Sequence, residues 1–142
     1  MWNLEKIPKK AHFYWGYPEG VLPFLNYLTL FSFRKMNPDW KIKLHIPFEV
    51  SPISLNSDNS IHEFKVENTV SYIKRIEHLD VELNIIDITK IGLANDIPEN
   101  LKSDFIRWLL LSTEGGLYSD MDILYVKSME SLQFNKPQNS VY

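Results

Sequence analysis

The segment Ser103–Ile123, SDFIRWLLLSTEGGLYSDMDI, decides the fold because a predicted helix, a glycine turn and a predicted strand follow one another in it. Its apolar residues recur at helical spacing before the glycines, and Gly115 suits the C′ position at which helices commonly end. Leu117–Asp120 is then predicted to be a short strand. A helix that turns directly into a strand is typical of an α/β fold.

The helix before the glycines is predicted to begin near Asp96. Asp96 with Glu99 resembles a capping box, and Pro98 suits the first helical turn because it has no N–H to leave unpaired. The helix should run to about Thr113. Apolar residues cover most of its surface, so we expect the helix to be largely buried.

One side of this helix is charged. At about 100° per residue, Asp104 and Arg107 lie only about 60° apart around the axis, and Ser103 and Glu114 fall on the same side. Two interpretations are open. The strip is a solvated surface ion pair, or it faces a polar site in which Asp104 accepts from sugar or ribose hydroxyls and Arg107 neutralises phosphate or fixes Asp104.

The rest of the chain alternates between predicted strands and helices. The predicted strands are residues 11–16, 41–46 and 81–88, with a further extended piece over 123–127, and the predicted helices are residues 21–36 and 66–79. Residues 48–60 are predicted to be a loop, and the tail from Phe134 to be weakly structured. Strands alternating with helices predict an α/β fold with a mostly parallel, Rossmann-like sheet.

The bulk composition is that of one globular domain. The chain has 142 residues, of which 44% are hydrophobic and 23% charged. A net charge of −3 offers no basic footprint for nucleic acid, and the absence of cysteine excludes disulfides and thiolate zinc sites. No window approaches about 18 consecutive apolar residues and no signal-peptide core is visible, so we expect no membrane span and a cytoplasmic location.

Asp120 and Asp122 follow the last predicted strand. Residues i and i+2 of an extended segment share a face, which would point both carboxylates the same way, with Tyr118 beside them. Two like charges that close repel unless a cation lies between them, and Mg²⁺ or Mn²⁺ with a phosphate ligand suits such a pair. Asp-x-Asp also occurs in solvated strand ends and turns, so the spacing leaves both interpretations open.

Ligands of parallel sheets bind beyond the carboxyl ends of the strands. The sequence places Trp15 with Gly16, Asp87 and the acidic pair at such ends. Trp15 is either a core aromatic or a stacking platform for a base or sugar. The histidines show no metal-ligand spacing, and His12 is expected to be a hydrogen-bonded core residue.

Two segments together resemble a known family. IPKKAHFYWG (Ile7–Gly16) and the Ser103–Ile123 segment contain, in order, Ile-Pro-Lys, His-x-x-Trp, Ser-Asp-x-x-Arg and Gly-Gly-x-Tyr-x-Asp-x-Asp. This pattern resembles the DXD-containing sugar transferases of the GT-A fold. That group includes yeast initiating mannosyltransferases, bacterial capsule and lipopolysaccharide transferases, and the glucosyltransferase domains of clostridial toxins. Separate blocks in register are far more specific than one Asp-x-Asp.

The resemblance implies a retaining glycosyltransferase with a UDP- or GDP-sugar donor, Mn²⁺ or Mg²⁺, and a glycan or lipid-linked acceptor, as in polysaccharide biosynthesis. It implies that Trp15 stacks on the nucleobase, that Tyr118 lies by the diphosphate, and that Asp122 coordinates the metal directly. It implies no protein nucleophile. The residues that correspond to the family's donor-binding set are Trp15, Asp104, Arg107, Tyr118 and Asp120, and those that correspond to its metal set are Asp120 and Asp122.

The family's domain normally continues well beyond the acidic pair. We therefore expect residues 1–142 to be a single domain that corresponds to the N-terminal, donor-binding part, truncated after the DXD motif. A nucleotide-sugar-binding module that is catalytically incomplete is the alternative function. A phosphotransferase of the haloacid dehalogenase type also uses Asp-x-Asp after a strand, but it expects Thr or Val where Leu124 stands.

Overall fold

The computed structural model describes residues 7–17, 20–50 and 70–132. The strands and α-helices of these ranges are β1 (Lys10–Tyr14), α1 (Phe24–Met36), β2 (Lys41–Pro47), β3 (Val81–Ile86), α2 (Glu99–Thr113) and β4 (Leu117–Ser119). Short 3₁₀ helices cover Ile73–Leu79, Ile88–Ile91 and Met129–Ser131. Within the same ranges, no helix has the length and apolar character needed to cross a bilayer.

The strands form one parallel sheet in the order β3-β2-β1-β4. β1 lies inside the sheet, where its Phe13 aligns with Leu44 of β2 and with Ser119 of β4. Neighbouring parallel strands need a crossover connection, and α1 lies in the connection between β1 and β2. α2 lies in the connection from β3 to β4, the strands at the two edges of the sheet. The α/β class and the mostly parallel sheet predicted from the sequence are confirmed.

The side chains of β1 pack alternately on the two faces of the sheet. Phe13 packs edge-on against Phe33 of α1, with ring centroids 5.5 Å apart, and both side chains are fully buried. Tyr14 packs with Ile106 and Leu110 of α2. Full burial of one large apolar side chain contributes about 1.5–3 kcal/mol, so β1 holds both helices in the domain.

Two buried histidines form a hydrogen-bonded chain across the sheet. Nδ1 of His12 lies 3.0 Å from Nε2 of His45, and Nε2 of His12 lies 3.0 Å from the Gly115 carbonyl oxygen. Nδ2 of Asn84 donates to Nδ1 of His45 at 2.9 Å. A carbonyl only accepts and an amide nitrogen only donates, so two neutral rings protonated on Nε2 satisfy every contact. Burial lowers the pKa of both imidazoles, that of His45 to about 4. The core role predicted for His12 is confirmed.

Several predicted element boundaries are corrected. α1 begins at Phe24 rather than at residue 21, because Pro23 is its N-cap and has an extended backbone. β1 covers Lys10–Tyr14 rather than residues 11–16. β3 ends at Ile86 rather than at residue 88, since Asp87 caps the next 3₁₀ turn by accepting from the Thr89 N–H.

Two predicted segments lack the expected regular structure. Of the helix predicted over 66–79, residues 70–79 are described, and only Ile73–Leu79 is helical, as a 3₁₀ helix. Residues 123–127 form no strand. The Tyr125 N–H donates instead to Oγ of Ser32 in α1 at 3.0 Å, which occupies a group that strand pairing would use. Most of the predicted loop over 48–60 and the predicted tail lie outside the described residues.

The start and the burial of α2 differ from the prediction. α2 begins at Glu99 with Pro98 as its N-cap and without a side-chain cap, so the proposed capping box with Asp96 is wrong. The helix is not largely buried either, because Trp108 is 77% exposed. Its apolar residues surround the axis, and the sheet covers only one side. The residues of α2 that are buried are Lys102, Ile106 and Leu110.

The two glycines after α2 form the predicted turn. α2 ends at Thr113, and Gly115 has a φ of 68°, which confirms it as the left-handed residue that ends the helix. Gly116 has a φ of 97°, and a Cβ there would lie 2.3 Å from the Lys10 carbonyl oxygen. The second glycine therefore lets the chain pass against β1 as β4 begins.

Candidate functional site

A cavity of about 330 Å³ lies at the carboxyl ends of β1 and β4. The N-terminal half of α2 forms one wall, and Asn26 of α1 contributes to another. Ligands of parallel sheets bind at this edge. The lining residues are Tyr14, Trp15, Gly16, Asn26, Glu99, Asn100, Ser103, Tyr118, Asp120, Met121 and Asp122.

The acidic pair lines this cavity from a turn rather than from a strand. β4 ends at Ser119, and residues 121–122 are in a turn. The Met121 side chain is buried, and its carbonyl accepts a 2.9 Å hydrogen bond from Nδ2 of Asn26. Strand alternation is therefore the wrong reason for the shared orientation of Asp120 and Asp122. A turn anchored at Met121 brings both residues to the cavity.

Arg107 connects α2 to the acidic pair. Its Nη2 lies 2.8 Å from Oδ1 of Asp120 and 3.8 Å from Oδ1 of Asp104. The guanidinium carbon lies 4.8 Å from the centroid of the Tyr118 ring, which is a cation–π arrangement. Arg107 thus makes the i,i+3 ion pair with Asp104 that the helical spacing predicted, and it also reaches from the strip to the first acid of the pair.

Tyr118 is fixed between β4 and α2. Its hydroxyl lies 2.7 Å from Oγ of Ser103. Burial raises the pKa of the Tyr118 phenol, so at neutral pH the hydroxyl stays protonated and retains a hydrogen to donate. Ser103 and Tyr118 line the cavity with Asp120, and Arg107, which is not among the lining residues, contacts Tyr118 and Asp120.

Trp15 lies between this cavity and a second, more apolar one of about 460 Å³. Its Nε1 donates to the Val21 carbonyl at 2.7 Å, and its ring stacks on Tyr17 with centroids 5.6 Å apart. The ring also packs against the core. Trp15, Asn26 and Asp122 line both cavities, so the two are neighbours.

The cavity contains one arrangement that the sequence did not predict. Glu99 bonds through one carboxylate oxygen to Nζ of Lys102 and through the other to the Tyr14 hydroxyl, each at 2.7 Å. The burial and this bond raise the pKa of Tyr14. The sequence contained a signal: Lys102 occupies the face of α2 that carries Ile106 and Leu110, where a lysine needs a partner.

Most of the predicted site residues come together. Trp15, Tyr118, Asp120 and Asp122 line the cavity, and Arg107 contacts Tyr118 and Asp120. Asp104 is not among the lining residues, and its side chain is 60% exposed. Within the described residues, Asp104 contacts Arg107 and its exposed carboxylate lies outside this cavity.

The donor atoms for a metal are carboxylate oxygens. Among the described residues, no group of three or more His, Asp or Glu side chains is arranged to hold a metal ion. Asp120 is already paired with Arg107, whereas Asp122 makes no ion pair within the described ranges. Mg²⁺ is usually held by one or two carboxylates with substrate phosphates completing its shell. The pair therefore fits a cation whose remaining ligands come from a bound phosphate and water.

Comparison with known proteins places these features in a family. Residues 29–139 match the family described as a glycosyltransferase sugar-binding region containing a DXD motif. The chain belongs to this family. The matched range contains α1 from Thr29 onwards, the charged strip of α2, the glycine turn and the acidic pair, so Asp120 and Asp122 are the two acids of its DXD motif.

Individual relatives agree with this assignment. The initiation-specific alpha-1,6-mannosyltransferase of Saccharomyces cerevisiae is 34% identical over 101 residues, which are 70% of this chain and 17% of the yeast protein. The solved PaToxG glycosyltransferase has a TM-score of 0.55 at 25% identity, over 89% of this chain and 46% of that one. The resemblance to the DXD transferases and the GT-A-like fold are thereby confirmed. The chain spans less than half the length of either relative.

Proposed function

We propose that residues 1–142 are the donor-binding part of a glycosyltransferase that moves a sugar from a UDP- or GDP-sugar to a glycan or lipid-linked acceptor. The observation that carries the proposal is the convergence of both DXD carboxylates and Trp15 on one cavity, with Arg107 bound to Asp120. A nucleotide sugar joins an aromatic base, a charged diphosphate and two hydroxyl-rich rings, and the site has a group for each.

The predicted roles of the donor-binding residues follow from this chemistry. Trp15 is proposed to stack on the base, which its position between the two cavities supports. A guanidinium has five N–H donors, so Arg107 can keep its contact with Asp120 and still bind a phosphate oxygen. Tyr118 is proposed to lie by the diphosphate, and Asp104 and Asp120 to accept from hydroxyl groups.

Mn²⁺ or Mg²⁺ is proposed as the cofactor, held directly by Asp122 and indirectly by Asp120. The ion would neutralise the departing diphosphate when bound. This division follows from the charges in the site, because Arg107 already balances Asp120. A cation supplied by the solvent would therefore find its least compensated ligand at Asp122.

The alternative is a module that binds a nucleotide sugar without transferring the sugar. The chain covers 46% of the solved glycosyltransferase that it resembles. Donor binding requires fewer protein groups than sugar transfer does. For the transferase, we propose that the sugar keeps its anomeric configuration. NMR of the product would measure that configuration. Release of free nucleoside diphosphate separates the two candidates, since binding alone breaks no bond.

Calorimetry with UDP-glucose, UDP-N-acetylglucosamine and GDP-mannose, with and without Mn²⁺, tests the proposal. We expect the wild type to bind one of these donors only with Mn²⁺, and Asp122→Asn to weaken that binding at least tenfold. Asp39→Asn is the matched control, because Asp39 pairs with Lys9 on the surface away from the cavity. Donor binding that is absent in the wild type, or unchanged by Asp122→Asn, would refute the proposal.

A further inference from the structure

Glu99 is fixed on the wall of the cavity and remains accessible from it. Its two carboxylate oxygens bond to Lys102 and Tyr14, as described above. Nζ of Lys102 also donates to the Glu49 carbonyl at 3.1 Å, and Lys102 is fully buried. The Glu99 side chain keeps 20% of its surface exposed and lines the cavity that contains the DXD pair.

Stability alone is a poor reason for this ion pair. Taking Lys102 out of water costs free energy that its attraction to Glu99 only offsets, and apolar replacements of buried ion pairs are often neutral or stabilising. Lys102 shares its face of α2 with Ile106 and Leu110, so an apolar residue would suit the position. The ion pair holds the Glu99 carboxylate in one orientation, which an apolar residue at position 102 would not do.

Gly16 makes room for this carboxylate. A Cβ at residue 16 would lie 1.9 Å from Oε2 of Glu99, so any other residue there would displace the carboxylate. The end of β1, the Tyr14 hydroxyl and the Lys102 ammonium thus act together on the position of one side chain.

We propose that Glu99 is a specificity-determining residue that accepts hydrogen bonds from vicinal hydroxyls of a sugar ring in the donor. The Glu99 side chain keeps 20% of its surface exposed at the cavity while it bonds to Lys102 and Tyr14, so a ligand hydroxyl can reach a carboxylate oxygen. It repels phosphate, so the ligand group that faces it is a hydroxyl-bearing ring, either the ribose or the transferred sugar. Lys102 and Tyr14 are positioning residues. The inference rests on the proposed function.

Calorimetry in Mn²⁺ on Glu99→Gln tests the inference with three kinds of ligand: pyrophosphate, the nucleoside diphosphates UDP and GDP, and their sugar conjugates. We expect binding of the hydroxyl-bearing ligand to weaken about 10- to 100-fold. Pyrophosphate should bind at least as tightly as to the wild type, because a negative charge has been removed. Glu130→Gln is the matched control, since Glu130 pairs with Lys9 at the surface.

The pattern of loss identifies the ring. Weaker binding of the nucleoside diphosphate itself identifies the ribose, and weaker binding of only the sugar conjugate identifies the transferred sugar. Equal affinities of Glu99→Gln and wild type for every ligand overturn the inference. So does an equal loss for pyrophosphate, because Glu99 would then act on the metal or the diphosphate.

Two further measurements keep the inference testable if Glu99→Gln does not fold. The wild type should bind 2′,3′-dideoxynucleoside diphosphates or 2-deoxy-sugar donors about 10-fold more weakly than the parent ligands, and equal affinity for both analogues overturns the inference. Lys102→Met should reproduce the ligand-selective loss without weakening pyrophosphate binding. If the wild type binds none of the ligands with Mn²⁺, the proposed function is refuted as well. If donor affinity is normal and Glu99→Gln does not change it, only the inference about Glu99 is refuted.

Discussion

The buried histidine chain predicts a loss of stability in mild acid. The pKa of His45 is lowered from 6.5 to about 4 by burial in the folded protein. As the pH falls below 6.5, the unfolded chain takes up a proton that the folded protein does not. The stability that His45 contributes is therefore fully present above pH 6.5 and is lost as the pH falls to about 4. The two pKa values correspond to about 3 kcal/mol of unfolding free energy, and His12 acts in the same direction.

Urea unfolding at pH 7, 6, 5 and 4 measures this loss. His45→Gln keeps an N–H donor for His12 and an oxygen acceptor for Asn84 but has no proton to gain, so its unfolding free energy should fall much less than that of the wild type. His78→Gln is the matched control, because His78 is exposed on the Ile73–Leu79 helix. This control should lose as much stability as the wild type.

The loss of stability caused by the histidines occurs in a different pH range from the loss caused by the carboxylates. The ammonium groups of Lys43 and Lys10 lower the pKa of Glu114 from 4.5 to about 2. Stability from Glu114 is thus present above pH 4.5 and is lost as the pH falls towards 2. Between pH 7 and 5 the histidines dominate. Parallel curves for His45→Gln and the wild type over that interval would refute the reasoning.

Two further substitutions separate binding from folding. Arg107→Ala should weaken metal-dependent donor binding more than tenfold. It should lower the unfolding free energy by less than about 1 kcal/mol, because its ion pair with Asp120 is largely exposed. A large fall in melting temperature with normal donor affinity would contradict this. Gly116→Ala should destabilise the domain by about 2 kcal/mol or more, because its φ of 97° and the Lys10 carbonyl leave no room for a Cβ. Gly20→Ala is its control for backbone strain alone, since nothing lies within 4 Å of a Cβ there, and equal losses from the two would show that the clash is unimportant.

The part of the fold that could be predicted is the part that local chemistry determines. Gly115 ends α2 because only a residue that tolerates a positive φ suits that position, and the apolar spacing before it required a helix. The strand order β3-β2-β1-β4 depends on pairing between residues that are distant in the chain, for which the sequence has no local signal. The start of α2 differs from the prediction because Pro98 is its N-cap, and the Glu99 carboxylate bonds to Tyr14 and Lys102, which are not local signals of a helix start.

The site was predictable to a similar extent. The helical spacing of Asp104 and Arg107 predicted a charged strip, and its contact with Asp120 follows from the turn that returns β4 alongside α2. The carboxylate of Glu99 could not be assigned in the same way. Tyr14 and Glu99 are separated by 85 positions in the chain and meet only when β1 and α2 pack together.

The distribution of charge in the cavity argues for a division of labour among its carboxylates. α2 supplies both cations, Lys102 to Glu99 and Arg107 to Asp120, and each ion pair is closed within the protein. Asp122 has no such partner in the described part of the chain, although it lines the same cavity. A carboxylate without a counter-ion beside two that have one is where an external cation gains the most. We therefore propose that α2 leaves Asp122 to the metal, holds Asp120 towards hydroxyl groups of the donor, and turns Glu99 towards a hydroxyl-bearing ring.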